Sequence, residues 1–209
     1  ALDAAATLEK LRPLYRMLLV QGYVPGTGVG AFILRWNGRV IARFMHRRIH
    51  EVPHTGGASS FRESWWHAKI MADAERRSEA LRWEGVAMFE YRWHPETDHF
   101  YLIELNGRFW GSIHLALFAG ADFPRLLVDA FLGHESRSTR FDMHARTRWT
   151  FPREVEYVRS RLKDSQLSLG SRFWSMIEFL LLGLDPRVKS DLNFPGDRKL
   201  YWIGMRQAF

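Results

Sequence analysis

The chain of 209 residues is long enough for one sizeable domain or two small subdomains, and its 46% hydrophobic and 14% aromatic content excludes a disordered chain. The formal net charge of +7 favours an anionic partner such as a nucleotide phosphate, a nucleic acid or an anionic membrane surface. The absence of cysteine excludes disulfides and thiolate metal sites and is compatible with a cytoplasmic location.

The N-terminal residues, Ala-Leu-Asp-Ala-Ala-Ala, contain neither a basic segment nor an apolar core long enough to insert into a membrane. We therefore expect no signal peptide and a cytoplasmic protein. Because the sequence begins with alanine, we also expect that it was cut from a longer chain.

The first predicted elements are a short helix within residues 4–17 and a buried strand over Leu18–Val24, which ends at Pro25-Gly26. Backbone N–H and C=O groups at such a strand end can read the Watson–Crick edge of a purine. The residues placed best for this are Gln21, Tyr23 and Val24. The alternative is an ordinary buried strand.

A β-hairpin is predicted next, with strands Gly28–Trp36 and Arg39–His46 joined by Asn37-Gly38, because Asn-Gly suits a type I′ turn. Gly28 and Gly30 do not belong to a phosphate-binding P-loop, since the lysine and the Ser/Thr of that motif are missing.

Residues 46–57 combine histidines at intervals of four with two adjacent arginines. On a helix His46, His50 and His54 would form a zinc site, but the segment leaves a strand and meets Pro53. We therefore predict a cationic loop over phosphates or a substrate carboxylate. Its residues are Arg47, Arg48, His54, Thr55, Gly56 and Gly57. The alternative is a solvated basic strand edge.

The remaining pattern predicts helices over residues 60–82, 112–118, 124–132, 152–163 and 171–184. Residues 134–148 are polar and basic without a sustained period, and we interpret them as a linker. The tail from residue 149 is too interrupted to span a bilayer, and we expect it to pack on the domain or on a partner. A peripheral contact with a membrane surface is the alternative for this basic, tryptophan-rich tail.

The stretch Trp83–Ser112 reads as two antiparallel strands around a loop that contains Pro95, Thr97 and Asp98. A turn centred on residue 97 places Glu90 directly opposite Glu104. Side chains alternate along a strand, so two faces follow. One face carries Val86, Met88, Glu90, Phe100, Leu102, Glu104 and Asn106, and the core face carries Ala87, Phe89, Tyr91, Tyr101, Ile103 and Leu105.

Facing carboxylates destabilise a sheet unless a cation neutralises them. Glu90 and Glu104 on rigid strands, with the amide oxygen of Asn106, suit Mg²⁺, with Mn²⁺ as an alternative. Met88 and Leu102 are predicted to wall a purine beside the metal. A turn one residue longer would instead point one glutamate to solvent.

The run Glu104-Leu-Asn-Gly-Arg108-Phe-Trp-Gly-Ser resembles the Glu-(Ile/Val)-Asn-Pro-Arg metal-binding strand of the ATP-grasp superfamily, and Glu90 falls where that family keeps its other acidic ligand. Val20–Gly26 resembles the family's adenine-binding hinge. The segments His46–Ile49 and Pro53–Gly57 resemble segments found in a bacterial branch of the family that is similar to carbamoyl-phosphate synthetases and carboxylate–amine ligases. These motifs keep the family's order across about residues 19–133.

The resemblance implies an α+β fold: an ATP-grasp-like antiparallel sheet with packed helices in residues 1–133, the linker 134–148, and a mainly helical C-terminal extension, 149–209. It implies that ATP and Mg²⁺ bind between two lobes and activate a small-molecule carboxylate as an acyl phosphate for attack by an amine. Arg108 would stabilise the transferring phosphoryl group, and Gly22 belongs to the hinge.

Two departures from the family pattern are Gly107, where proline is usual, and Gly22, where an acidic residue is frequent. Family lysines that bind phosphates have no counterpart in Lys10 or Lys69. We therefore expect the C-terminal part of a larger enzyme, completed by an upstream segment or a second copy, or a non-catalytic module that binds nucleotide or serves as an interaction subunit. A nucleic-acid-binding domain ranks below both, because no recognition helix or aromatic RNA-reading motif is evident.

Overall fold

A computed structural model describes residues 4–135, 140–193 and 198–208. Its centre is one seven-stranded sheet in the order β5-β4-β1-β2-β3-β6-β7, in which only β6 and β7 pair in parallel. The strands are β1 Thr27–Trp36, β2 Arg39–Val52, β3 Ala58–Ser64, β4 Gly85–His94, β5 His99–Asn106, β6 Arg146–Arg148 and β7 Val188–Ser190.

Helices cover the sheet and confirm the expected α+β fold with a mainly antiparallel sheet. They are α1 Ala4–Leu11, α2 Ala68–Ala80, α3 Ile113–Phe118, α4 Phe123–Phe131, α5 Val155–Lys163, α6 Leu169–Leu184 and α7 Lys199–Ala208. None of these described helices has the length and apolar character needed to cross a bilayer.

The alternation of side chains along β1 divides the core into two clusters, one on each face of the sheet. Ile33 belongs to the cluster under α2, together with Phe89 and Tyr91 of β4. Phe32 belongs to the opposite cluster, with Trp110 and the helices α3 and α4. The second face is the one that carries Glu90, so helices α3 and α4 form the wall beside it.

The β1–β2 hairpin agrees with its prediction. Asn37 and Gly38 have φ values of 49° and 73°, the pair of positive angles that a type I′ turn requires. The backbone N–H groups of both residues donate to the carboxylate of Glu84, at 2.8 Å and 3.0 Å, which fixes the turn against the start of β4.

The helix predicted over residues 60–82 is wrong in its first part, because residues 58–64 form strand β3 between β2 and β6. The spacing of Phe61 and Trp65 fits a helix as well as a strand pattern, and the sheet partners decide the outcome. Helix α2 begins only after His67, whose side chain accepts a hydrogen bond from the N–H of Ile70.

Residues 146–148, predicted within a linker, form strand β6 and join the C-terminal region to the sheet. The predicted helices 152–163 and 171–184 correspond to α5 and α6, which an irregular turn at Thr150–Glu154 precedes. Arg62 on β3 and Asp191 just after β7 form a fully buried ion pair. The C-terminal region therefore packs on the domain, as expected for the tail, and is continuous with its sheet.

The buried strand predicted for Leu18–Val24 is wrong. These residues lie outside the sheet, and the side chains of Leu19 and Tyr23 are 83% and 84% exposed. No described strand lies beside them to supply the backbone hydrogen bonds that a buried strand needs.

Candidate functional site

A row of four residues crosses the sheet at the candidate site. Glu104 of β5 pairs with Glu90 of β4, Glu90 pairs with Gly30 of β1, and Gly30 pairs with His46 of β2. The predicted pairing of the two glutamates is therefore confirmed. Both carboxylates stand on one face, beside a gap in the side chains of β1.

The two glycines of β1 create this gap. A Cβ atom on Gly30 would lie 2.6 Å from Cζ of Phe32 and 3.0 Å from Cδ2 of His46, and one on Gly28 would lie 2.8 Å from Cδ of Arg48. Such distances are too short for real contacts. Glycine at both positions therefore lets the side chains of His46 and Arg48 lie across β1 toward β4.

Arg48 uses this space to reach the glutamate. Its Nη2 lies 2.7 Å from Oε2 of Glu90, and its Nη1 donates to Glu51 at 3.2 Å and to the carbonyl oxygen of Gly57 at 2.9 Å. The Arg48 side chain is only 8% exposed, so these charges interact with little screening by water. The guanidinium of Arg48 therefore offsets the charge of Glu90 in the structure.

The same network continues to the predicted hinge. Arg92 of β4 contacts Glu51 at 3.2 Å and donates to the carbonyl oxygen of Gly26 at 3.2 Å. Glu51 thus bridges Arg92 and Arg48. A continuous chain of polar contacts connects the end of the hinge segment to Glu90.

The predicted faces of β5 need one correction. Glu90 pairs with Glu104 but Tyr91 pairs with Leu102, so Ile103 is an extra residue that forms a β-bulge. The bulge turns Leu102 and Phe100 onto the α2 face, where both pack against the cluster of Phe89 and Tyr91. The prediction that Leu102 shares a face with Glu104 and walls a purine is therefore wrong.

A cavity of about 410 Å³ opens over the two carboxylates. Its lining includes Glu90, Glu104, Asn106, Arg48, Arg92, Arg108, Met88, His46, Trp110 and Trp149. The cavity brings together the predicted metal residues, one predicted purine neighbour and the predicted phosphoryl-stabilising arginine. Met88 is 6% exposed and belongs to the core cluster of Phe32, so it contributes to the floor of the cavity.

The oxygen atoms that could bind a metal ion here are of the kinds that Mg²⁺ prefers. The carboxylate of Glu104 is exposed and has no ion pair in the described part of the chain, and Asn106 adds an amide oxygen on the same face. Mg²⁺ commonly takes one or two protein carboxylates and completes its shell with water and phosphate oxygens. No group of three or more His, Cys, Asp or Glu residues suited to a metal occurs among the described residues.

His46 is a feature that sequence reasoning did not assign to this site. It is 1% exposed, its ring packs edge-on against Phe32 at 4.9 Å, and neither ring nitrogen has a hydrogen-bond partner. Burial, reinforced by the nearby charges of Arg48 and Arg62, holds the pKa of His46 well below its usual range, so the imidazole is neutral. The glycines that alternate along β1 were the feature of the sequence that could have indicated that His46 belongs to this site.

The residues of the predicted cationic loop do not lie together in the structure. Arg47 and Arg48 are on strand β2 rather than in a loop, and alternation sends Arg47 to the opposite face, where it pairs with Glu63 at 2.5 Å. His54 contacts Ser160 and Asp164 of the C-terminal region. Of the loop residues, Arg48 and Gly57 line the cavity, whereas Arg47, His54, Thr55 and Gly56 do not.

The hinge residues do not line this cavity either. Tyr23 and Val24 line a separate cavity of about 320 Å³ beside the β4–β5 turn, with His94, His99 and Tyr101 as neighbours. Gln21 and Gly22 are exposed in the same extended segment. In the described part of the chain, the hinge is connected to the site through the hydrogen bond from Arg92 to Gly26.

Solved structures with a similar fold include a biotin carboxylase and a pyruvate carboxylase. A biotin carboxylase from Campylobacter jejuni, solved as a beta-gamma-ATP complex, aligns with 60% of this chain and 30% of its own, at 16% identity and a TM-score of 0.50. A complete multifunctional pyruvate carboxylase from Rhizobium etli aligns with 69% of this chain and 15% of its own, at 15% identity and a TM-score of 0.50. At these identities the likeness shows the fold.

Residues 15–151 match the family described as ATP-grasp in the biosynthetic pathway with Ter operon. The match covers more than half of the chain, so the chain belongs to this ATP-grasp family, and the resemblance indicated by its motifs is confirmed. A search of curated proteins gave no match. The chain spans about a third or less of the length of the carboxylases described above.

Proposed function

We propose that the chain is the Mg-ATP-binding part of an ATP-dependent ligase that activates a carboxylate as an acyl phosphate for attack by an amine or a similar nucleophile. The observation that carries this proposal is the pair Glu90–Glu104 on one face of the sheet, inside the cavity of an ATP-grasp chain. When bound, the metal would shield the phosphate charges during transfer.

The end of the hinge segment lies close to the carboxylates along β4. Gly26 lies against the backbone of Trp93, and Trp93 is three residues from Glu90 along β4. At about 3.3 Å per residue this distance is about 10 Å. The backbone of residues 21–24 would then read the purine, with Arg92 between the purine and the metal carboxylates.

Arg108 would act on the transferring phosphoryl group. Arg108 is exposed and lines the cavity, and among the described residues its guanidinium donates a local hydrogen bond, to the carbonyl oxygen of Phe109 at 3.2 Å. A cation free to reorient can follow the charge that develops on the phosphoryl oxygens.

Calorimetry of ATP binding with and without Mg²⁺ tests the proposal. We expect Mg²⁺ to increase the affinity of the wild-type protein, and we expect Glu104→Gln to remove most of that increase because the ion loses a ligand. Glu96→Gln changes an exposed glutamate in the β4–β5 turn and serves as the matched control. Equal Mg²⁺ dependence in both variants would refute the metal assignment, and no ATP binding by the wild-type protein would refute the proposed function.

A further inference from the structure

The lining of the cavity includes side chains whose N–H groups have no acceptor in the described part of the protein, and we call them the donor wall. Trp110 and Trp149 both line the cavity, and the indole Nε1 of each is buried without a hydrogen-bond partner. His46 of β2 also lines the cavity, and neither of its ring nitrogens has a partner among the described residues. A buried donor without an acceptor costs about 1–3 kcal/mol, so three such side chains on one wall indicate a ligand group that accepts hydrogen bonds.

The donor wall is held rigidly by three different elements. Trp110, which follows β5, stacks on Phe32 at 4.1 Å and meets Phe123 edge-on at 5.1 Å. The backbone of Trp149, which follows β6, donates to the carbonyl oxygen of Ser60 at 2.8 Å. His46 belongs to β2. The rings of Trp110 and His46 and the backbone of Trp149 are therefore held in place before any ligand binds.

The chemistry of the wall matches a carboxylate better than a phosphate chain. An indole is a donor only, and the neutral imidazole offers one donor and one acceptor, so the wall presents several N–H groups without formal charge. Polyphosphate carries several negative charges and favours cations and metal ions, and the cavity offers it Arg108 and the carboxylates of Glu90 and Glu104 that we propose to hold Mg²⁺. A carboxylate has two acceptor oxygens and one charge.

We propose that His46, Trp110 and Trp149 form the subsite that binds the carboxylate to be activated, a proposal that rests on the function proposed above. One carboxylate oxygen forms a bond to the γ-phosphorus of ATP, the bond from that phosphorus to the bridging oxygen breaks, and ADP leaves with the electron pair. No proton is transferred. Neutral donors orient the carboxylate without the strong withdrawal of electron density that a guanidinium contact would cause.

Indole NMR tests the subsite without measuring turnover. The nine tryptophans each give one indole N–H signal in ¹⁵N-labelled protein, and Trp110→Phe and Trp149→Phe assign the two signals of interest. Acetate and glutarate are titrated with and without Mg²⁺ and a non-hydrolysable ATP analogue. We expect saturable shifts of these two signals, whereas the indoles of Trp83 and Trp93, which donate to Val86 and Asp98, stay in place.

The variants supply a second test. Each Phe substitution keeps an aromatic ring but removes one N–H, so carboxylate affinity should fall roughly tenfold while affinity for the ATP analogue stays unchanged. Trp202→Phe, at an exposed position on α7, is the control and should bind carboxylate like the wild type. Circular dichroism confirms the fold of each variant.

Two outcomes would overturn the subsite while leaving the proposed function intact. In the first, the ATP analogue binds but neither carboxylate moves the two indole signals. In the second, inorganic phosphate moves them and carboxylates do not, which would assign the wall to nucleotide phosphates. Failure of the ATP analogue to bind would refute the proposed function, whereas carboxylate shifts seen without nucleotide would still support the subsite.

Discussion

Arg48 and a metal ion would compete for the same carboxylate. In the structure the guanidinium of Arg48 lies 2.7 Å from Glu90 and also holds Glu51. Arriving Mg²⁺ must therefore share Glu90 with this arginine or displace it. The position of Arg48 couples metal binding to the polar network that reaches the hinge at Gly26.

The substitution Arg48→Met should act in opposite directions on stability and on metal affinity. It leaves Glu90 and Glu51 without their shared partner, which should cost about 3 kcal/mol in the free energy of unfolding. It also removes a competing cation, so Mg²⁺ should bind the ATP complex several-fold more tightly. Urea unfolding and magnesium titrations measure the two effects.

Arg47→Met provides the matched control for this prediction. Arg47 is on the opposite face, and its pair with Glu63 is 45% exposed on the arginine side. We expect a loss of at most about 1 kcal/mol and no change in metal affinity. Weaker metal binding in Arg48→Met would show that Arg48 supports the metal site instead of competing with it.

At the residue scale, the predicted pair Glu90–Glu104 is correct, but counting residues across the hairpin does not explain it. The turn pairs His94 with His99, so a regular register would place Glu90 opposite Ile103, and the bulge at Ile103 restores Glu104 as the partner. The roles of Arg92 and His46 could not be predicted from the sequence, because they depend on which strands are neighbours in the sheet. The strand order β5-β4-β1-β2 is a tertiary property. Leu102 failed because a single bulge residue, Ile103, reverses the faces of the remaining strand.

Strand β1 is the element that decides whether the site can form. Gly30→Ala would place a methyl group 2.6 Å from the Phe32 ring, which is itself stacked on Trp110. We expect a loss of about 1–3 kcal/mol in urea unfolding because the ring cannot move freely. Gly22→Ala meets no atom within 4 Å and should be nearly neutral. Equal stability of the two variants would contradict this account.

Strand β2 is also clamped to the C-terminal helices through His50. The imidazole lies 3.1 Å from Glu154 and 3.5 Å from Glu178, and its ring stacks on Tyr157 at 4.0 Å. Burial alone would lower the pKa of His50, but the hydrogen bonds and charges of the two glutamates outweigh it and raise the pKa to about 9. His50 is therefore protonated in the folded protein at neutral pH.

The contacts of His50 with the C-terminal region predict a specific dependence of stability on pH. Because the pKa of His50 is higher in the folded than in the unfolded chain, its contribution is complete below about pH 6.5 and disappears as the pH rises through about 9. The loss should be on the order of 3 kcal/mol at about 1.4 kcal/mol per pKa unit. Urea unfolding across this range measures it, and His50→Gln should flatten the curve. An unchanged slope in the variant would assign the effect to another group.

At the scale of the whole molecule, residues 146–191 belong to the same folded unit as the family match. Strand β6 extends the sheet, Arg62 pairs with Asp191, and His50 joins β2 to α5 and α6. The sequence predicted the helices here but not the strands, since three-residue strands carry too few side chains to show alternation. The outer face of α6 exposes Phe173, Trp174 and Leu180, and the partner contact expected for this tail stays a prediction.

The 209 residues alone should bind nucleotide without appreciable ligase turnover. The described lining of the cavity contains arginines but no lysine, while Lys10 lies on α1 and Lys69 pairs with Asp98. Loss of one well-placed cation can cost roughly 10²–10³-fold in rate. ADP release and acyl phosphate formation with a panel of carboxylates measure turnover. Robust Mg²⁺-dependent activity that Glu104→Gln abolishes would contradict this expectation.

The bulge at Ile103 has a consequence for solubility. Strand β5 is the outermost strand of the sheet on the side of the site, and a long regular margin invites strands of other molecules to add to it. Removal of Ile103 would leave Glu90 opposite Glu104 but would make the margin regular from His99 to Asn106. The extra residue is therefore dispensable for the facing carboxylates, and it interrupts the regular margin that a strand of a neighbouring chain would need in order to extend the sheet.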